Sequence, residues 1–200
     1  MPSELLTALR AGLDSRGDGR DRADVPFPRS YWVVPGRLLA GYFPGHHDED
    51  RARSQCSRLV DAGIRTVISL MEEPEVNLAG EPFGDYAEYL STDRGSARFV
   101  RMPIMDMSVP DPEDMRAMLD TIDASLANDK PVYVHCWGGR GRTGTVIGCW
   151  LMRHELATAE TVFGLIASLR AAVPDAYLAS PETDAQMALV SGWNESLVVR

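Results

Sequence analysis

The chain has 200 residues, 44% of them hydrophobic and 24% charged, the proportions of one globular domain rather than of a disordered or fibrous protein. Its 29 acidic against 20 basic side chains leave a net charge of −9, and the low pI excludes a general nucleic-acid or anionic-membrane surface, since each needs a basic face. Cys56, Cys136 and Cys149 are too few and too scattered for a disulfide framework or a zinc site, so neither metal nor other cofactor is expected.

Ser3–Arg10 can start a short helix, and Asp14–Asp24 reads as a solvated linker with no apolar periodicity. Asp14, Asp18 and Gly19 faintly suggest a calcium loop, but Arg16 and Val25 fall where ligands are required. Residues 1–30 are thus a lead-in, and 31–200 form one domain. Two short strands follow, Tyr31–Val34 and Leu38–Phe43, joined at Pro35 and Gly36. A helix is expected over Asp48–Ala62 with Cys56, Leu59 and Val60 on one side and Gly63 at its end. Next come a buried strand at Thr66–Leu70, a solvated loop with Glu72, Glu73 and Glu75, and a strand at Arg98–Met102. Pro103, Pro110 and Pro112 forbid a helix over 103–112, whereas Pro112–Ala127 is amphipathic through Met115, Met118, Leu119, Ile122 and Leu126. Val132–His135 reads as a central strand and Arg142–His154 as a buried helix, with glycine-rich text between. Helices over Thr158–Ala172 and Pro181–Leu197 complete an α/β alternation, and the fold class is three-layer α/β with a mainly parallel central sheet.

No basic n-region precedes an apolar stretch at the N-terminus, and no segment approaches the roughly 18 apolar residues of a membrane span. A reducing, cytoplasmic location without stable membrane association is expected. Lys130 is the only lysine, so arginine carries nearly all the positive charge, as in proteins of GC-rich bacterial genomes.

The chemistry lies in HCWGGRGRTG, His135–Gly144. A cysteine at the end of a strand, glycines that let the backbone curl and a helix N-terminus bring successive N–H groups together as a cradle for a tetrahedral dianion. A positive field of that kind stabilises a thiolate over a thiol. Arg142, at the start of the helix, can present its planar fork to two phosphate oxygens.

Cys136, five intervening residues, Arg142, Thr143 and Gly144 resemble the CxxxxxR[ST]G loop of the cysteine-based protein tyrosine phosphatases, and the small dual-specificity branch is similar in size. The preceding His135 also fits, and no Asn-Arg-Tyr segment of the tyrosine-specific members is present. The resemblance implies Cys136 as nucleophile, Arg142 and the loop Trp137, Gly138, Gly139, Arg140 and Gly141 as phosphate-binding, and Thr143 and His135 as members of the catalytic set. It further implies a movable loop with a general acid, for which Met102–Pro110 offers Asp106, thirty positions before Cys136. Asp111 is the second candidate, but Asp-Pro before an acidic turn is better explained as a helix N-cap. Ser180–Gln186 resembles the segment whose glutamine orients the hydrolytic water. Glu182 stands where the first glutamine is usual and Gln186 at the second, while the same stretch also reads as the start of the last helix.

Cys56 and Cys149 are small buried hydrophobes on this reading, and His46, His47 and His154 have exposed or capping roles. Trp137 either meets substrate at the lip or packs the loop. One of Glu72, Glu73 and Glu75 could hold Arg142 by an ion pair. Arg140, a second arginine inside the loop, either lines the rim for a multiply phosphorylated ligand or turns to a carboxylate; phosphoinositide-cleaving relatives carry a base there. The expected activity is hydrolysis of phosphomonoesters, in a phosphorylated protein or a small molecule, through a phosphocysteine. Hydrolysis of inositol phosphates, sulfur transfer of the rhodanese type and a non-catalytic phospho-ligand binder are the competing classes. The intact Cys136, Arg142 and Asp106 set speaks against the binder, and the sequence assigns no oligomeric state.

Overall fold

In a computed structural model that describes Thr7, Arg10, Ala11 and residues 25–195, the sheet is organised around strands with no exposed residue. We number the strands β1 (Ser30–Val34), β2 (Leu38–Gly41), β3 (Thr66–Ser69), β4 (Ser91–Thr92), β5 (Gly95–Ser96), β6 (Arg98–Arg101) and β7 (Val132–His135). The helices are α1 (Glu49–Asp61), α2 (Pro112–Ala127), α3 (Gly141–Arg153), α4 (Val162–Leu169) and α5 (Asp184–Ser191). The main sheet runs β1-β2-β7-β3-β6, with β1 antiparallel to β2 and every other pair parallel, as expected of a mainly parallel sheet. The β4–β5 pair forms a separate small hairpin that the sequence did not announce.

Because side chains alternate along a strand, the sheet buries two different faces. Leu38, Ala40, Ile68, Val132 and Val134 face one core, packed with α2, α3, α4 and α5. Leu39, Val67 and Tyr133 face a second core with Phe27, Phe43, Tyr86 and the Cys56, Leu59 side of α1. These are the three layers. β7 lies at the centre, so the residue that follows it, Cys136, leaves the sheet between two covered faces.

Local chemistry explains the element ends. Asp48 caps α1 by accepting from the Arg51 N–H at 3.0 Å, and the chain turns at Gly63 with φ +91°. α2 spans the expected residues from the proline at its first position; Asp111 occupies the N-cap but its side chain makes no capping hydrogen bond. Two expected helices are shorter than the sequence suggested. The Thr158 N–H bonds the Thr161 hydroxyl at 2.9 Å, which holds 158–161 as a turn and delays α4 to Val162. Thr183 and Gln186 form a capping box, so α5 starts at Asp184 instead of Pro181 and ends at Ser191, with Gly192 as its C-cap. Leu197, the Asp14–Asp24 linker and most of the Ser3–Arg10 segment lie outside the described residues. Cys56 and Cys149 are fully buried thiols, and burial pushes Cys56 up to about 12. Of the exposed or capping roles expected of it, His154 takes the second: it is the C-cap residue of α3, and its side chain is buried, 2.9 Å from the Asp123 carboxylate and against the Trp150 ring.

Candidate active site

The loop from Cys136 to α3 is shaped by close backbone approaches. A Cβ on Gly139 would sit 2.5 Å from the Gly41 carbonyl oxygen and 2.6 Å from the Tyr42 nitrogen, and φ there is +67°, so only glycine fits. A Cβ on Gly144 would collide with the Ser180 hydroxyl, which donates to the Arg140 carbonyl at 2.8 Å. The N-cap position of α3 is Arg140, whose side chain offers no capping acceptor, leaving the helix start suited to an external anion.

Cys136 is buried at the base of a cavity of about 400 Å³. The Thr143 hydroxyl donates to its Sγ at 3.1 Å. Arg142 is almost wholly buried and reaches across to the loops after β3 and β6. Glu75 grips it with both carboxylate oxygens, and its Nη1 also donates to the Ile104 carbonyl at 3.1 Å. Burial opposes the guanidinium charge, but Glu75, the Cys136 sulfur and Asp106 outweigh it and hold the Arg142 pKa above its ordinary value. The three-glutamate loop is therefore not all solvated: Glu75 makes the ion pair to Arg142 that the sequence allowed for one of the three.

Asp106 lies on the same guanidinium, 3.0 Å from Nη2, with its side chain 53% exposed. The proline-bounded loop thus brings Asp106 to the cavity, and Asp111 is not among the residues that line it. Trp137 lines the cavity and packs edge-on against Phe83. Arg140 turns to Glu182 in an ion pair at the cavity wall. Gln186 also lines the cavity, but is fully buried and bound within the protein. His135 points away from the cavity, into the aromatic core between Phe43, Tyr86 and Tyr133. Its Nδ1 donates to the Cys136 carbonyl at 3.2 Å, which leaves Nε2 to accept from the Tyr86 hydroxyl. Burial holds its pKa down at about 3.

Sequence reasoning missed the opposite wall. Arg29, inside the stretch read as lead-in, lies 4.0 Å over the Tyr42 ring and 3.3 Å from Asp175, and Arg29, Tyr42, Asp175 and Leu178 all line the cavity. No motif marks them, because they meet across 146 positions of chain.

A parallel sheet whose central strand delivers a cysteine into a glycine-shaped cradle, with a buried arginine opposite, defines the cysteine-based phosphatase superfamily, small dual-specificity branch. The family model "PTP-SAK: Swiss Army Knife protein, DSP-PTPase phosphatase domain" matches residues 28–188, and the chain belongs to that family. It is 30% identical over 119 residues to the phosphatidylglycerophosphate phosphatase PTPMT2 of Arabidopsis thaliana, covering 59% of this chain and 48% of the relative. It is 26% identical over 133 residues to the tyrosine-protein phosphatase cdc-14 of Caenorhabditis elegans, covering 66% of this chain and 18% of that one. The chain therefore spans less than half the length of the curated relatives it matches. The crystal structure of Tk-PTP in its active form superposes with a TM-score of 0.60 at 23% identity, over 86% of this chain and 99% of that one, a likeness of fold.

Proposed function

We propose that the protein hydrolyses phosphomonoesters in two steps through a phosphocysteine, as a protein-tyrosine or dual-specificity phosphatase. The observation that carries this reading is the convergence on one guanidinium: Arg142, locked by Glu75, faces both the Cys136 pocket and the Asp106 carboxylate. In the first step the Cys136 thiolate attacks phosphorus, the bond from phosphorus to the leaving oxygen breaks, and Asp106 gives that oxygen its proton. Arg142 and the amides of residues 137–142 take up the charge of the transferring group. In the second step water attacks the phosphocysteine, its proton passes to the Asp106 carboxylate, and phosphate leaves with the thiolate restored. Thr143 stabilises the thiolate by its hydrogen bond, and His135 fixes the Cys136 carbonyl and with it the direction of the loop.

Charge pairing at the rim supports a protein phosphate over a polyphosphorylated inositol. Arg140 is matched by Glu182 and is not free for a second phosphate, Arg29 shares Asp175 with the buried Arg170, and Tyr42, Trp137 and Leu178 supply apolar walls. Among the described residues no helix is long and apolar enough to cross a membrane, and the three free thiols accord with a reducing, cytoplasmic setting. The test is a side-by-side panel of phosphotyrosyl peptide, phosphoseryl peptide, phosphatidylglycerophosphate and inositol polyphosphate, with Cys136→Ser as control. Highest kcat/KM on a phosphopeptide and no turnover by the variant are expected; a preference for inositol polyphosphate would overturn the substrate reading, and turnover by Cys136→Ser the mechanism.

A further inference from the structure

Gln186 stands between two segments that the proposed reaction must coordinate. Its Oε1 accepts from the N–H groups of Glu182 at 3.0 Å and Thr183 at 3.2 Å, completing the capping box of α5. That leaves the amide nitrogen, and Nε2 donates to the Ser108 carbonyl at 3.0 Å, across 78 positions of chain. Gln186 itself has no exposed surface, while its partners Glu182, Thr183 and Ser108 are half-buried.

The segment it reaches has little else to hold its outer half. At its start, the N–H groups of Met102 and Ile104 continue the ladder of β3, bonding the carbonyls of Ser69 and Leu70 at 2.9 and 3.0 Å. Beyond Ile104 the chain turns on a Ser108 N–H to Met105 carbonyl bond of 3.0 Å. Met107, in that turn, has φ +61°, a conformation a methionine keeps only where its surroundings impose it. Met105 and Met107 are 63% and 52% exposed, so apolar packing does not impose it. The Asp106–Arg142 ion pair and the Gln186–Ser108 hydrogen bond flank the strained residue on either side.

We propose that Gln186 is a positioning residue that latches the acid loop: it holds the Met105–Ser108 turn so that Asp106 stays at Arg142, and thereby acts on protonation of the leaving group. This rests on Asp106 being the acid. It differs from a role in aligning the hydrolytic water, which would act only after the leaving group has gone.

Gln186→Glu separates the two functions of the side chain. A glutamate at the third helical position keeps an acceptor for the capping box, but at pH 7.5 it faces the Ser108 carbonyl with an acceptor instead of a donor. Expected is a loss of about 10-fold in kcat/KM for phenyl phosphate, less than about 2-fold for an activated aryl phosphate, and no further loss when combined with Asp106→Asn. Amide hydrogen exchange over residues 105–109 should also speed up about 10-fold. Equal loss on both leaving groups, losses that add fully to those of Asp106→Asn, or accumulation of a phosphoenzyme would overturn the latch. If Asp106→Asn alone shows no leaving-group dependence, the acid assignment fails, while unchanged loop exchange in Gln186→Glu is what defeats the latch itself. Should Gln186→Glu not fold, Gln186→Met gives the same kinetic and exchange comparisons, with its melting temperature reporting the lost cap separately.

Discussion

The loop from Cys136 to Gly144 and the loop from Met102 to Pro110 meet at Arg142, yet they are built by opposite means. The first is mostly buried and fixed by backbone against backbone: Gly139 has no room for a methyl group, and β7 feeds it from the centre of the sheet. The second is anchored by two β3-like hydrogen bonds at its start, and its tip carries a strained Met107 and a half-exposed Asp106. An anion cradle must be preorganised, because its donors have to be in place before charge develops. A general acid must let substrate enter and product leave, so it belongs on an element of low local stability.

This contrast can be broken at the cradle first. Gly139→Ala places a methyl group against Gly41 and Tyr42 in a left-handed conformation, and should cost about 2–4 kcal/mol of stability and remove tight binding of vanadate. Thermal unfolding and vanadate titration check it; a variant that melts and binds as the wild type does would show the cradle to be as pliant as the acid loop. At the acid loop the effect is smaller and conditional. Asp106→Asn should lower kcat about 10²- to 10⁴-fold on phenyl phosphate and far less on an activated aryl phosphate, with an unchanged melting temperature. Asp111→Asn should do neither, since Asp111 does not reach the cavity and caps α2 without a side-chain bond.

Behind the cradle, pH supplies a graded test. Burial holds His135 at about 3 in the folded protein against an ordinary 6.5, so the unfolded chain binds a proton first as pH falls. His135's contribution is therefore intact above pH 6.5 and is lost at about 1.4 kcal/mol per pH unit between 6.5 and about 3. Chemical denaturation across pH 4–7 should show that slope in the wild type and a shallower one in His135→Asn. Equal slopes would mean that His135 is not held neutral in the aromatic core. The smallest effect is expected at the rim: because Arg140 is paired with Glu182, Arg140→Ala should change the kcat/KM ratio of an inositol polyphosphate to a simple aryl phosphate by less than about 3-fold. A selective loss of 10-fold or more on the polyphosphate would show that Arg140 leaves Glu182 to read the substrate.

What the sequence made legible was local. α2 could be read end to end from Pro112 and five apolar residues at helical spacing, and β7 from four residues with no charge. The cradle was legible because one short segment contains it all, from Cys136 to Arg142. Asp106 was accessible through the prolines that bracket it. The failures are of range and of competition. Glu75 acts on a partner 67 positions away, so the sequence offered an ion pair to Arg142 from one of three glutamates beside a solvated-loop reading, and could not single out Glu75. Arg29 and Asp175 meet across 146 positions without any periodic signal. In α5, Ser-Pro-Glu is a sound helix start, but the Thr183–Gln186 capping box three residues on satisfies the end amides better.

The most direct test of the two-loop account is rapid acid quench of the wild type turning over an activated aryl phosphate, followed by mass spectrometry of the peptide that contains Cys136. The account predicts phosphate covalently on Cys136 during turnover, with Asp106→Asn forming it at nearly the wild-type rate from that substrate but markedly more slowly from phenyl phosphate. Turnover with no phosphate on Cys136, or phosphate on another residue of the cavity, would contradict it.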